Sequence, residues 1–573
     1  VVAIGRRFRI CSALETMLKP ERNPQGKMMT RRSFKFRKTD QIGAAAAEED
    51  EFLSTCFVDT GDLALLEDTS DHRLVVLGRT GSGKTALLRR LTEKHSQHAV
   101  CISPENLALT YVSNSTILNF FAGLGVNLDP FFKLLWRHVF VVEVLNRYFE
   151  QRNCRRPRNL LDRLRSMFSE NTRHDKEMKE ALAYLEQWGK RFWLETEFRV
   201  KEIARKVEQE LDAEVRSQLG VPVAKLASSA GVSRRLTEEE KAELRVRGQE
   251  VIAAAQVQDL HKVLSLLDSV LEDRQKPYWV IIDNLDENWV EEKVRYRLIM
   301  ALIVTAREFF QIRNAKVIVA LRRDLIDRVF RLTRDSGFQE EKYQSLYLPL
   351  VWEKSQIIEV LDTRIEALVS DRYTKQPVSH TDLLPSKVGK VRVTEYLTAR
   401  AIRPRDIIAF FNHCIAAGTN LARLGAKQLS KAEGEYSRSR LRALGDEWSA
   451  DYPALLDFAK LLQRRPASFK MSAVVDEDVE ELCLEIAAND PGGRGVLQRN
   501  AMKVVDCILA AGDFKVFLMQ VFYRLGLVGL KAYRHEGAVW AAESGRGVSA
   551  AEIGEDTSVV VHPMYHRALG IRS

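Results

Sequence analysis

The 573-residue sequence lacks the cysteine and histidine spacing of a metal site or a disulfide framework. Its seven cysteines, Cys11, Cys56, Cys101, Cys154, Cys414, Cys483 and Cys507, are scattered, with no CxxC pair and no histidine at ligand spacing. That excludes a zinc ribbon or a stapled secreted scaffold and fits unpaired thiols in a reducing cytoplasm. Long apolar runs are missing as well. The most apolar stretch, Phe131 to Leu145, contains Lys133, Arg137, His138 and Glu143, too short and too charged to span a bilayer, so no membrane partner is expected. The N-terminal segment has no apolar core ahead of a small-residue cleavage site and does not read as a secretory leader. Neither a Ser/His/Asp or Cys/His nucleophile arrangement nor a nuclease constellation is present, so effector chemistry of that kind is expected on another chain.

Charge of one sign is concentrated in one place. Residues 1–39 hold eleven Lys and Arg against Glu15 and Glu21, which equals the whole net charge of +9, so the other residues balance. The sequence pI near 9 therefore reflects a basic tail, expected to be disordered, and the folded body need not bind a polyanion. The chain opens on Val1, and Met28-Met29 offers a more ordinary beginning. Residues 1–27 are thus either native or an upstream extension from a non-Met start.

The strongest motif is Leu74-Val-Val-Leu-Gly78-Arg79-Thr80-Gly81-Ser82-Gly83-Lys84-Thr85-Ala86. It matches GxxxxGK[ST], with a β-type run before it and a helix-forming run after it. Glycines at 78, 81 and 83 allow a tight nest whose N–H groups face phosphate oxygens at a helix N-terminus. Lys84 can reach β- and γ-phosphates, and Thr85 can ligate Mg²⁺. A second run, Tyr278-Trp-Val-Ile-Ile-Asp283-Asn284-Leu-Asp286-Glu287, ends a buried strand in carboxylates. Asp283 is expected to hold Mg²⁺, and Asp286 or Glu287 to orient an attacking water, Asp286 being preferred. Further strands at 98–103, 315–321 and 343–350 complete an α/β parallel sheet with its ligand at the strand C-termini. Arg322 and Arg323 follow the 315–321 strand, where one of them would sense a γ-phosphate. Arg403-Pro404-Arg405-Asp406 then starts a helix whose apolar face is Ile407, Ile408, Phe411, Cys414 and Ile415. This leaves Arg403 and Arg405 free to point at a nucleotide.

Together GRTGSGKT (Gly78 to Thr85), IIDNLDENW (Ile281 to Trp289), ALRRD (Ala320 to Asp324) and RPRD (Arg403 to Asp406) resemble the bacterial P-loop ATPases of the STAND and KAP-like branch of the AAA+-related ASCE class. More narrowly, the chain looks like stand-alone prokaryotic ATPases often found in defence-type gene neighbourhoods, with Ala44 to Glu51, Tyr111 to Ile117 and Leu135 to Phe140 carrying that likeness. The resemblance implies ATP as ligand, slow switch-like hydrolysis, a helical lid that reads nucleotide state, and an antiviral defence setting. ATP rather than GTP rests on it, since no NKxD-type guanine-reading motif is present. Asn284 replaces the acid often found after the metal-holding Asp, which bears on hydrolysis rate and not on binding.

The sequence divides into the basic tail (1–39), a core in two parts (40–124 and 266–350), an inserted helical domain (125–265), a helical lid (351–425), a helical region (426–510) and a terminal unit (511–573). The insertion follows from about 175 residues between the second and third strands. Within it Val200, Ile203, Val207, Leu211 and Val215 recur at helical spacing. They read as a helix packed on its own core or as a coiled coil for a protein partner or a homo-oligomer. In the terminal unit, a helix at 516–525, a strand after Gly526, a Gly- and Ser-rich loop and a strand at 558–562 suggest a winged helix. Such a module contacts DNA or protein, and its basic residues are sparse. Three functions remain: an ATP-driven switch, which leads; a DNA-binding AAA+-type motor or loader; and a nucleotide-stabilised scaffold with negligible hydrolysis.

Overall fold

The computed structural model describes residues 35–107, 109–151, 196–223, 236–257, 264, 267, 268, 271, 276–287, 289–333, 340–372, 377–489, 492, 493, 495–531, 537–541 and 547–572. Five short runs rich in Val, Ile and Leu form one parallel sheet: β1 (Val75–Gly78), β2 (Ala99–Ile102), β3 (Tyr278–Ile282), β4 (Ala315–Arg322) and β5 (Tyr347–Pro349). The spatial order is β2-β3-β4-β1-β5, with Leu77 opposite Leu321 and Pro349 and Ile282 opposite Val319. Burial on both faces explains why these strands read as continuous apolar runs rather than alternating ones. The fifth strand is shorter than 343–350, because Tyr343 belongs to the short helix Glu341–Gln344.

The sheet is covered on both sides. Helix Lys84–Lys94 and helix Asp62–Glu67 pack with Val76, Trp279, Ile281, Ile318 and Ala320 on one face. Helices Asp129–Gln151, Glu292–Phe309 and Arg323–Leu332 pack with Val75, Leu77, Val280, Val317 and Val319 on the other. Indole groups brace the packing: Trp136 Nε1 joins the two long helices of the second face by donating to the Leu298 carbonyl at 2.9 Å, and Trp279 Nε1 ties the sheet to helix Asp62–Glu67 by donating to the Leu66 carbonyl at 3.1 Å. The chain runs from β1 across two strands to β2 with its helix on the first face, then returns through β3 and β4 with helices on the second. Beside β1 the direction reverses, which opens a crevice at the strand C-termini.

The helices expected to form an inserted domain at 125–265 have no core of their own among the described residues. In helix Thr196–Leu219, Val207, Leu211 and Val215 are fully buried in the same cluster as Leu118, Phe121 and the sheet, so the amphipathic stripe seals the chain's own core. Val200 and Ile203 lie outside the residues whose side chains are described. Helix Asp129–Gln151 stacks on Glu292–Phe309 and reads as the crossover of β2 to β3, which the charge-interrupted sequence concealed.

Beyond β5, the described residues between 352 and 571 gather around a second continuous core. It takes in helices Lys354–Arg372, Pro404–Ala417 and Ala426–Glu447, the small hairpin β6 (Lys387–Val388) and β7 (Val391–Arg392), and the terminal module. Among the described residues that module has three antiparallel strands, β8 (Ser468–Lys470), β9 (Val528–Lys531) and β10 (Ser558–Val561), in the order β8-β10-β9. Helices Asp476–Asn489, Val496–Val505 and Ala511–Arg524 fill the connection between β8 and β9. Lid, helical region and terminal module thus share one core instead of three. The end of the basic tail joins it: Phe36 is buried edge-on against Phe411, and its N–H meets the Leu421 carbonyl at 3.0 Å. Residues 1–34 lie outside the described residues.

Candidate functional site

β1 ends at Gly78 at the C-terminal edge of the sheet, and the chain turns through residues 79–83 into helix Lys84–Lys94. Gly81 and Gly83 adopt φ of 79° and 98°, the left-handed region that disfavours a side chain. A Cβ on Gly78 would stand 2.1 Å from Ser82 Oγ, and one on Gly81 2.6 Å from Arg405 Cβ. The glycines therefore serve closure of the loop as well as its curvature. Ser82 Oγ is buried with no hydrogen-bond partner among the described residues, an orphaned group such as a bound phosphate oxygen would satisfy. Lys84 Nζ donates to the carbonyls of Gly78 (3.1 Å) and Arg79 (3.3 Å), which leaves one of its three hydrogens for an anion. Burial lowers the Lys84 pKa, opposed by Asp283 and Asp286.

β3 brings Asp283 to the same edge. Its Oδ2 accepts from Thr85 Oγ1 at 2.9 Å and its Oδ1 from the Asn284 N–H at 2.9 Å. Burial pushes the Asp283 carboxyl up, while Asn284, Thr85 and Lys84 hold it down. Asn284 itself has φ 60°, a conformation asparagine tolerates better than most residues, so its identity follows from the turn that presents Asp283. Asp286 and Glu287 are exposed beyond it. Asp286 Oδ2 lies 3.5 Å from Arg322 Nη1. The Glu287 carboxyl is pushed up by lost hydration and by the facing Glu105, which the sequence did not bring to notice.

Of the adjacent arginines, the structure brings Arg322 to the site and leaves Arg323 exposed on Asp327, 3.7 Å away. Arg322 is bidentate on Asp324, at 3.0 Å and 2.9 Å, and its Nη2 stands 3.7 Å from Glu447. The expectation that Arg403 and Arg405 stand free is corrected. Arg403 is 5% exposed and grips Asp406 with Nε at 2.8 Å and Nη2 at 3.1 Å, while its Nη1 donates to the Thr80 carbonyl at 2.8 Å. Arg405 packs on Gly81 and donates through Nε to the Ala45 carbonyl at 2.8 Å. Both reach the loop by way of its backbone, because a fully buried Asp406 captures the one and the N-terminal segment the other.

Three further contacts hold the loop from the second core, and the sequence carried no motif for them. Arg79 Nη2 donates to the Leu525 carbonyl at 2.8 Å, Thr80 Oγ1 to Glu447 Oε1 at 3.0 Å, and Trp352 Nε1 to the Ser82 carbonyl at 2.8 Å. The cradle, the orphaned Ser82 hydroxyl, the buried Lys84 and the oxygen pair of Thr85 and Asp283 together fit a polyphosphate with a hard divalent cation. Ala86, next in the helix, adds an N–H at the same end.

Residues 355–445 match a family model described as the FunZ-associated C-terminal helical domain, a segment that runs from helix Lys354–Arg372 to the last turn of Ala426–Glu447. The chain is also 30% identical over 112 residues to the putative transposon gamma-delta 80.3 kDa protein of Escherichia coli (strain K12). That match covers 19% of this chain and 16% of the relative, so the chain aligns with about a sixth of the relative's length.

Proposed function

We propose that this chain is a P-loop ATPase of the ASCE type that works as a nucleotide-driven switch. The observation that carries the reading is the meeting of Lys84, Thr85 and Asp283 at the C-terminal edge of a parallel sheet, with Thr85 Oγ1 2.9 Å from Asp283 Oδ2. ATP would supply the scissile phosphoanhydride, and Mg²⁺ would offset its charge. The N–H groups from Gly81 to Ala86 and the ammonium of Lys84 would bind the phosphates. Thr85 and Asp283 would hold the cation, and Asp286 or Glu287 would orient water. Arg322 sits at the end of β4, between β1 and β3, where it would meet charge developing on a γ-phosphate.

The switch part rests on the loop's other contacts. Arg403, Leu525, Glu447 and Trp352 all touch residues 79–82 from the second core, so a change in the loop on nucleotide binding is felt by the lid and terminal module. Replacement of Lys84 by Ala tests the reading. ATP affinity is expected to fall on the order of 100-fold or more, as when one partner of a buried charge contact is removed; unchanged affinity overturns it. A cytoplasmic setting, read from the scattered cysteines, and a role in defence, read from the resemblance, belong to this proposal; among the described residues no helix is long and apolar enough to cross a membrane.

A second reading, a DNA motor or loader, is favoured by the winged-helix-like order β8-β10-β9 and by the word transposon in the name of the matching E. coli protein. The helix that would enter a groove, Ala511–Arg524, speaks against it. Its Lys515 is buried and bound to Asp476 at 2.8 Å and Glu555 at 3.0 Å. The neighbouring helix Asp476–Asn489 exposes Glu477, Glu480 and Glu481, which repel a phosphate backbone. ATP turnover that rises severalfold with duplex DNA would reverse that preference.

A further inference from the structure

We propose that Glu447 is an internal anion that occupies the loop's cationic surroundings in the absence of a γ-phosphate, and that ATP displaces it and releases the end of helix Ala426–Glu447. The inference deepens the nucleotide-site reading and rests on it. Glu447 is the last residue of that helix, and its side chain is only 9% exposed. One oxygen accepts from Thr80 of the loop at 3.0 Å and stands 3.7 Å from Arg322 Nη2. Arg79 and Arg403 act on it as well. Burial would raise its carboxyl, and Arg79, Arg322 and Arg403 override that and hold it below the ordinary glutamate value. A carboxylate held by a loop hydroxyl in the field of three guanidiniums is the arrangement that binds a phosphoryl oxygen.

The contacts around it show which one would yield. Arg322 grips Asp324 with two bonds of 3.0 Å and 2.9 Å, whereas its contact with Glu447 is the longest of its three ion pairs. Arg403 is likewise bidentate on Asp406. A γ-phosphate entering over Lys84 would repel Glu447 and draw Arg322 without breaking either brace. ADP, one phosphoryl group shorter, would leave Glu447 in place. Beyond Glu447 the chain is anchored separately: Leu444, Trp448 and Tyr452 are buried in the second core, and Asp451 takes Arg328 at 2.8 Å and Arg331 at 3.4 Å from helix Arg323–Leu332, so the release is confined to the turn around Glu447. Trp448 packs on Tyr452 with its indole N–H unpartnered among the described residues. Glu447 is thus a positioning residue acting through Arg322 and Thr80, and it makes helix Ala426–Glu447 an antagonist of ATP in particular.

The test uses the full chain, wild type and Glu447→Gln, with hydrogen exchange over residues 440–452 and the affinities for Mg-ATP and Mg-ADP. ATP but not ADP is expected to speed exchange there in the wild type. In Glu447→Gln exchange is already fast without nucleotide, and the preference for ATP over ADP rises about 5- to 150-fold, the span of ordinary allosteric coupling. Glu447→Asp, which keeps the charge on a shorter arm, falls between the two and stands in should the glutamine variant not fold. With ATP binding present in the wild type and lost in Lys84→Ala, an unchanged preference and unchanged exchange in the Glu447 variants overturn this inference alone. Absence of ATP binding from both wild type and Glu447→Gln overturns the nucleotide site with it.

Discussion

Asp406 is the residue on which the lid's grip on the loop turns, and its replacement by Asn isolates one carboxylate charge at nearly constant shape. The side chain is fully buried at the first turn of helix Pro404–Ala417. It receives Arg403 Nε at 2.8 Å and Arg403 Nη2 at 3.1 Å, and Arg440 Nε lies 3.3 Å away. Asn leaves two guanidiniums in a dry site without their counter-charge, a change that costs about 3–5 kcal/mol where a buried pair loses one partner. By contrast Arg438 and Glu435, each 56% exposed and 2.7 Å apart, form a solvated pair, and Glu435→Gln is expected to cost less than about 0.5 kcal/mol. Equilibrium urea unfolding of both variants beside the wild type measures the difference. The pH dependence adds a check. Burial would raise the Asp406 carboxyl, but Arg403, Arg440 and Arg79 override it and hold it below 3.8. Its stabilisation is therefore complete above the unfolded value and is lost as pH falls through the lower folded one. The gap between wild type and Asp406→Asn is expected to be constant near neutrality and to close below about pH 4. A loss under about 1 kcal/mol at pH 7, or a gap that persists in acid, would refute the reasoning.

Much of the half that holds the loop was legible because its signals are local. The loop of Gly78 to Thr85 and the strand ending in Asp283 announce themselves by apolar runs next to special residues, and the sheet places them together with Thr85 against Asp283. The direction of the sheet followed from alternating strands and helices. What the sequence concealed depends on pairing across hundreds of residues. Glu447 and Leu525 carry no motif, and they meet the loop only because the described residues between 352 and 571 share one core that packs against it. β8 escaped notice since a three-residue run of Ser468, Phe469 and Lys470 buries only Phe469 and becomes a strand by pairing with β10, Val559 opposite Phe469. The freedom ascribed to Arg403 failed for a related reason. Helix start and Pro404 were readable, but the capture of its guanidinium by an aspartate three residues on, itself shared with Arg440, is a tertiary fact.

Three further outcomes are expected. Gly81→Ala places a methyl 2.6 Å from Arg405 Cβ at φ 79°; the clash and the left-handed strain together predict weakened nucleotide binding by equilibrium titration, with Ala at the open, unstrained Gly123 as the neutral comparison for space. Phe36→Ala empties a fully enclosed site beside Phe411 and is expected to cost about 3–5 kcal/mol in urea unfolding, which ties the end of the basic tail to the fold; a loss under about 1 kcal/mol would detach it. The last concerns His562, buried between β10 and the turn at Pro563–Tyr565, where its Nδ1 accepts the Met564 N–H at 3.2 Å. Burial pushes its pKa down to about 3, with Arg79 and Arg403 adding to the effect and Asp406 opposing it. The unfolded chain takes up a proton near 6.5 that the folded chain refuses, so the contribution of this histidine is complete above pH 6.5. Below it, stability falls with acid by up to about 1.4 kcal/mol per pH unit. His562→Asn keeps a side-chain acceptor for the Met564 N–H and removes the titration. Its urea midpoint is expected to flatten between pH 6.5 and 4.5 where the wild type declines, and an equal decline in both would place His562 in a wetter site than the packing around Trp540 and Tyr565 allows.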